Sequence, residues 1–288
     1  MSDKKKVIIV SDTTCDLSDE LISKYDIKIL PLYVNFSDGT YKDKYEIVPD
    51  DIYDRYTKTK ELPKTSAASI QDHIDMMAKY SSECEGVVYF NISSKLSCSF
   101  NNARLAAEEF ENVYVIDSLN LSTGIGLQVI KAAELAEKGL SAKEIADEIA
   151  DIQKRVDASF VVDNLEYLAK GGRCSSVAAL GANLLKLHPC IVVRDGAMTV
   201  TKKYRGGMVS VLTQYAEDML SNLDDIEDEH IFITHSGCSE DWINAVHELV
   251  KSKNKFKNIY ITHAGCTISS HCGAGTLGVL FIRKSEVK

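Results

Sequence analysis

Short apolar runs alternating with amphipathic stretches constrain this chain more than any single motif does. VIIV from Val7, IKILPLYVNF from Ile27, VVYF from Val87 and VYVID from Val113 are strand-sized, and the stretches after them carry apolar residues at helical spacing. A strand that is apolar on both faces needs cover on both, and helices supply it, so this half reads as a mostly parallel sheet wrapped by helices. Helices are expected from about Ser18, over residues 49–59 with Pro49 in the first turn, from the capping box Ser69/Asp72 through Tyr80, over 101–110, and over 122–138 with Gly139 as the C-cap. Pro31 predicts an edge or a bulge in the second strand.

A second capping box, Ser141/Glu144, opens a helix whose Ile145, Ile149, Ile152 and Val156 repeat on one face, and this helix is expected to link two halves. Beyond it ASFVVD, CIVVRD, MTVTKKY, IFITHS, IYITHA and LGVLFIR read as strands, and residues 177–186, 208–222 and 240–251 as helices. CIVVRD and MTVTKKY meet at Asp195-Gly196, a strong hairpin signal, so the second sheet should be mixed. The fold class is therefore α/β throughout. At 288 residues the chain is about twice a 150-residue domain, which leaves two domains or one large one.

A formal net charge of -9, with basic clusters only at residues 4–6, 251–257 and the C-terminal tail, offers no broad face to a phosphate backbone and argues against a nucleic-acid partner. No apolar run approaches the roughly 18 residues of a membrane span, and MSDKKKVIIVSD lacks a signal peptide's apolar region, so no membrane span and a cytoplasmic location are expected. The eight cysteines include no C-x-x-C pair and read as reduced, mostly buried thiols.

GAGTLG from Gly273 imitates a dinucleotide fingerprint, but a strand-like VLFIRK follows where a helix is needed, so no nucleotide cofactor is expected there. His263, Cys266, His271 and Cys272 match no common zinc spacing, and no metal is expected. No P-loop and no G-x-S-x-G elbow exist. Asp12 and Asp16 are read as caps of the following helix. Hydroxyls do crowd the strand-to-helix junctions: Thr65, Ser66 and Ser69; Ser93, Ser94, Ser97 and Ser99; Thr267, Ser269 and Ser270 beside His271. Capping explains part of that density; the remainder suits a bound anion held by neutral donors.

Five motifs occur together: SDTTCDL from Ser11, TSAAS from Thr65, ISSKLSCSF from Ile92, LEYLAKGGR from Leu165 and HCGAGTLG from His271. In this order, from about Val7 to Arg283, they resemble the DegV family, whose members bind long-chain fatty acids and in several bacteria resemble the lipid-carrying subunit of a two-component fatty acid kinase. The resemblance implies two α/β domains, here 1–156 and 157–288, with an acyl chain such as palmitate in a tunnel at their junction and a possible ATP-dependent fatty acid kinase as partner.

Residue by residue, Thr65 matches the family's carboxylate-binding threonine with Ser66 beside it, Ser97 matches the serine of its L-S-G-T segment, and His271 the histidine of its H-T-G-P-G segment. Arg205 in KKYRGG matches a basic residue at the head-group entrance, and Arg173 a position that is read as structural. TSAAS lacks the family's Gln and Pro, Cys98 stands for a Gly, and HCGAG replaces a Thr and a Pro, but none of these changes removes a hydroxyl or imidazole assigned to the carboxylate. The implied protein is a binder with no catalytic residues and no cofactor. The competing expectation is a dihydroxyacetone-kinase-like phosphoryl-transfer protein in which His271 or His235 forms an adduct with a small carbonyl substrate.

Overall fold

The computed structural model describes residues 5–178 and 187–287. In chain order the elements of the first half are β1 (Lys5–Asp12), α1 (Asp19–Lys24), β2 (Lys28–Leu30), β3 (Tyr33–Phe36), β4 (Gly39–Lys42), α2 (Pro49–Thr59), β5 (Lys64–Ser66), α3 (Ile70–Ser81), β6 (Cys84–Asn91), α4 (Ser99–Ala106), β7 (Val113–Asp117), α5 (Thr123–Glu137) and α6 (Ala142–Gln153). The second half follows with β8 (Val156–Val162), α7 (Glu166–Gly171), α8 (Ser175–Ala178), β9 (Leu187–Arg194), β10 (Ala197–Arg205), α9 (Met208–Met219), β11 (Ile226–Ser236), α10 (Glu240–Ser252), β12 (Asn258–His263), α11 (Cys266–Cys272) and β13 (Thr276–Arg283). The helix expected over 177–186 lies, beyond its first two residues, outside the described residues.

The first sheet is parallel throughout, in the order β2-β1-β6-β7. The second has six strands in the order β10-β9-β8-β13-β11-β12 and is antiparallel except where β11 pairs with β12. Helix α5 joins them, packing on β1 and β6 of one sheet and on β8, β11 and β13 of the other. Its sequence explains this place: Ile125, Leu127, Val129 and Ile130 point around the helix and are all fully buried, the pattern of a helix with no solvent face.

One expectation fails at Pro31. IKILPLYVNF is not one strand: β2 ends at Leu30 in the parallel sheet, and β3 begins at Tyr33 in a separate three-stranded antiparallel sheet of order β4-β3-β5. Proline has no N–H for the ladder, so the chain changes partners where pairing is interrupted. The small sheet packs with α2 and, through Val34, Phe36, Ile47 and Ile52, against Tyr167 and Cys266 of the second half. The halves thus interlock, and the strand β8 begins at Val156, the residue where the division was expected.

Both capping boxes form, at Ser69/Asp72 and Ser141/Glu144. The Asp195-Gly196 turn has positive φ at both residues (48° and 80°), the conformation of a type I′ hairpin, and Ala197 pairs with Arg194 across it. Ser93 Oγ donates to Gly196 O at 2.7 Å and ties this hairpin tip to the loop after β6. After α11, Gly273 and Gly275 turn the chain directly into β13.

Candidate functional site

Helix α11 carries His271, and two carboxylates, Asp43 and Asp16, fix the start of this short helix. Asp43, at the end of the small β3–β4 hairpin, accepts Cys266 N–H at 2.8 Å and Thr267 N–H at 2.9 Å. Asp16 accepts Gly265 N–H at 2.9 Å through one oxygen and the Ser122 hydroxyl at 2.5 Å through the other. Asp16 therefore does not cap α1; Ser18 does, accepting Leu21 N–H at 3.3 Å. Asp12 caps the short 3-10 turn Thr13–Cys15 and reaches across to Ile92 N–H at 2.9 Å. Burial pushes Asp12 up to about 6 against these hydrogen bonds, and raises Asp16 well above the carboxylate range.

At the far end of α11, His271 Nε2 lies 2.8 Å from Thr65 Oγ1 of β5. Burial, with Arg173 nearby, lowers the imidazole to about 4, so it is neutral at physiological pH. Its Nδ1 is buried without a partner and lies 2.5 Å from where a Cβ on Gly171 would sit. A buried N–H without an acceptor is the rarer defect, which assigns the proton to Nε2 and the hydrogen bond to Thr65 as acceptor. The Thr65 hydroxyl proton is then free for a ligand.

These two side chains form the polar end of a cavity of about 260 Å³. Leu32, Ile92, Leu96, Leu121, Met198 and Ile268 supply most of its wall, and Ser97, Cys98, Arg173, Thr267 and Cys272 line it as well. The wall is built from both halves: Thr65, Ser97 and Leu121 from the first, Arg173, Met198 and His271 from the second. Ser97 Oγ accepts Ser99 N–H at 3.2 Å, which leaves its own proton to donate. A second, smaller cavity of about 30 Å³ shares Leu121, Ile268 and Cys272 with the first and continues between Phe160 and Leu280.

Of the residues singled out in the sequence, Thr65, Ser66, Ser97 and His271 therefore meet in one place. Ser66 also lines the cavity, and its hydroxyl accepts from Asn35 Nδ2 at 3.1 Å, which leaves its proton, like that of Ser97, to donate. Arg205 is exposed at the end of β10 and outside the lining. Met198 of the same strand is in the wall, and Arg205 lies seven residues further on, about 23 Å along an extended strand. Arg173, read from sequence as structural, stands at the rim, exposed, with Nη1 on Gly171 O at 2.6 Å. The Asp43 clasp also escaped the sequence reading, because a contact between residues so far apart leaves no local signal.

His235 and His263 face each other in register near the ends of β11 and β12, their rings 4.8 Å apart; His235 lines the smaller cavity, and neither lines the cavity that holds Thr65 and His271. Among the described residues no three His, Cys, Asp or Glu side chains converge in a way that could hold a metal ion. Among them, too, no helix is long and apolar enough to cross a membrane.

With this geometry in hand, comparison with known proteins is decisive. The model of the DegV family of uncharacterised proteins matches residues 6–284. The chain belongs to the DegV family. A relative in Thermotoga maritima named as a fatty acid-binding protein is 33% identical over 283 residues, covering 95% of this chain and 96% of its own. Among solved structures, a DegV family protein from Thermus thermophilus described by its fatty acid binding superposes with a TM-score of 0.89 at 28% identity, covering 96% of this chain and 99% of that one. A stearic acid-binding protein from Eubacterium ventriosum superposes with a TM-score of 0.82, also at 28% identity, with 96% and 98% covered. The two α/β sheets described above are thus the DegV fold, and the cavity of this DegV protein lies between its two halves.

Proposed function

We propose that this DegV protein is a cytoplasmic carrier that binds one long-chain fatty acid in the cavity between its halves. The reading extends to a role: the protein shields the acyl chain and presents the carboxylate to a fatty acid kinase partner, without being the catalyst itself. The observation that carries it is the Thr65–His271 contact closing the polar end of an otherwise mostly apolar cavity.

The physical chemistry favours this occupant. Burying about 14 methylenes at about 0.8 kcal/mol each gives on the order of 11 kcal/mol of gross driving force before ordering costs. The head group then needs only to be positioned, and neutral donors suffice: the free hydroxyl protons of Thr65 and Ser97, aligned by a neutral His271. A small polar carbonyl compound would leave the wall of Leu32, Ile92, Leu121 and Ile268 without apolar contact, so the phosphoryl-transfer alternative has no observation in its favour.

Mass spectrometry of an organic extract of the purified protein is expected to show a long-chain fatty acid at close to one per chain. Protein that is free of lipid and takes none up would overturn the reading. Thr65→Val should weaken fatty acid binding about tenfold, since one charge-assisted hydrogen bond is lost, while the fold persists. The kinase role is tested separately by acyl phosphate formation on the loaded protein when ATP and the ATP-binding subunit of a fatty acid kinase are added.

A further inference from the structure

The small cavity that meets the acyl site at Leu121, Ile268 and Cys272 differs from that site in character. Its accessible surface is almost wholly apolar although Ser122, Thr234, Ser236 and Thr276 stand in its wall, because the chain already uses each of these hydroxyls. Ser122 donates to Asp16 at 2.5 Å, Thr234 is shared between Thr123 at 2.6 Å and Thr262 at 2.9 Å, Ser236 bonds Tyr53 at 2.6 Å, and Thr276 donates to Cys272 O at 3.0 Å. His235 in the same wall is neutral, burial and the neighbouring His263 lowering it to about 4. A water there would find too few partners, and so would a polar group of a ligand. None of the carboxylate donors, Thr65, Ser66 and Ser97, lines this cavity.

The partition between the two cavities is fixed on one side. Leu121 sits between Leu119 and Ser122, both at positive φ (49° and 52°), and Ser122, with ψ at -144°, is in a region that residues with a side chain rarely adopt. Such backbone persists only where its surroundings over-determine it. Here they do: Leu121 N–H donates to Asn120 Oδ1 at 3.1 Å, Asn120 O accepts Ser93 N–H at 3.0 Å, and Asp16 holds Ser122. Leu121 therefore stays at the junction, and on its other side the small cavity runs between Phe160 of β8 and Leu280 of β13. With the carboxylate held at Thr65 and His271, the part of a ligand that passes Leu121 is the end of its chain.

We propose that the small cavity receives the methyl end of the acyl chain, with Leu121 as the narrow point and Leu280 as the end stop, so that acids with an unsubstituted tail are the ligand class and acids with a polar terminal group are rejected. This rests on the fatty-acid reading above and adds the length and the tail chemistry that the site accepts. Leu121 and Leu280 act at different points: Leu121 touches a chain in passage, whereas Leu280 lines the small cavity alone and touches only its last carbons.

The test measures the affinities of tetradecanoic, octadecanoic and 18-hydroxyoctadecanoic acid by competition against a fluorescent fatty acid on delipidated protein. Wild type is expected to bind the 18-hydroxy acid about tenfold more weakly than octadecanoic acid, the effect of one buried hydroxyl without a partner. Leu280→Phe, which fills the small cavity, should lower the ratio of octadecanoic to tetradecanoic affinity about tenfold, and Leu280→Ala should raise it severalfold, with tetradecanoic acid little changed in either. Met198→Ala, in the wall of the main cavity alone, should leave that ratio where it is. An 18-hydroxy acid that binds wild type as tightly as the plain acid overturns the inference, and this readout does not depend on any variant folding. So does a ratio that both Leu280 variants leave unchanged, or one that Met198→Ala shifts as far as they do. Tetradecanoic acid keeps the two readings apart: if it binds and the ratios fail, only the tail assignment falls, and if no acid binds wild type, the fatty-acid reading falls and this inference with it.

Discussion

The two ends of helix α11 are treated in opposite ways. At its start, Asp16 and Asp43 take the N–H groups of Gly265, Cys266 and Thr267, so that each of these donors, which lack partners within the helix, is matched to a buried acceptor. At its finish, His271 Nδ1 is unpaired, and the protons of Thr65 and Ser97 are unassigned within the chain. The first end spends its polar groups on the fold, and the second holds them back for something outside it. Stability and binding should therefore respond to different substitutions on the same short helix.

The strongest way to break this contrast is Asp43→Ala. It removes the acceptor of two buried N–H groups at once, and a loss of about 4 kcal/mol in unfolding free energy by denaturant titration is expected. A loss below 1 kcal/mol would mean that the clasp is ornamental.

Next in size is the pH response of the anchoring region. Burial holds Asp12 at about 6 in the folded protein, above an ordinary value of 3.8. The folded state then binds more protons than the unfolded one between these values, so the stability linked to Asp12 is full below pH 4 and is lost as pH rises through 6, on the order of 3 kcal/mol in all. Asp12→Asn should remove that slope, so the stability difference between variant and wild type should grow in the variant's favour from pH 4 to pH 6.5. A difference independent of pH would contradict the assignment.

The gentlest probe works at the open end. In Gly171→Ala the new methyl would lie 2.5 Å from His271 Nδ1, and the imidazole must move away from Thr65. Binding of a fatty acid should weaken severalfold while stability falls by about 1 kcal/mol. Equal losses in both quantities would blur the distinction between the two ends.

How much of this the sequence discloses follows from range. Capping boxes, the parallel first sheet and the Asp195-Gly196 hairpin were legible because their determinants lie within a few residues of one another. The break at Pro31 was half legible: proline announces an interruption, but not that Tyr33 leaves for another sheet. Thr65, Ser97 and His271 could be singled out only as matches to a family pattern, since Thr65 and His271 are 206 residues apart in sequence. Arg205 and Arg173 show the limit of matching by motif, because strand length, which decides that Arg205 lies far from Met198, is not a property of either motif.

The scattered origin of the cavity wall also bears on time. Leu32, Thr65, Ser97, Leu121, Met198 and His271 come from successive stretches of the chain, so the pocket closes only after many long loops have been brought together, a slow kind of assembly. A lipid that binds the finished pocket and not the partly folded chain draws on every one of those contacts, and its occupancy raises the barrier to opening the whole molecule and not just one lid. Loading with lipid would thus act as a seal on completed folding.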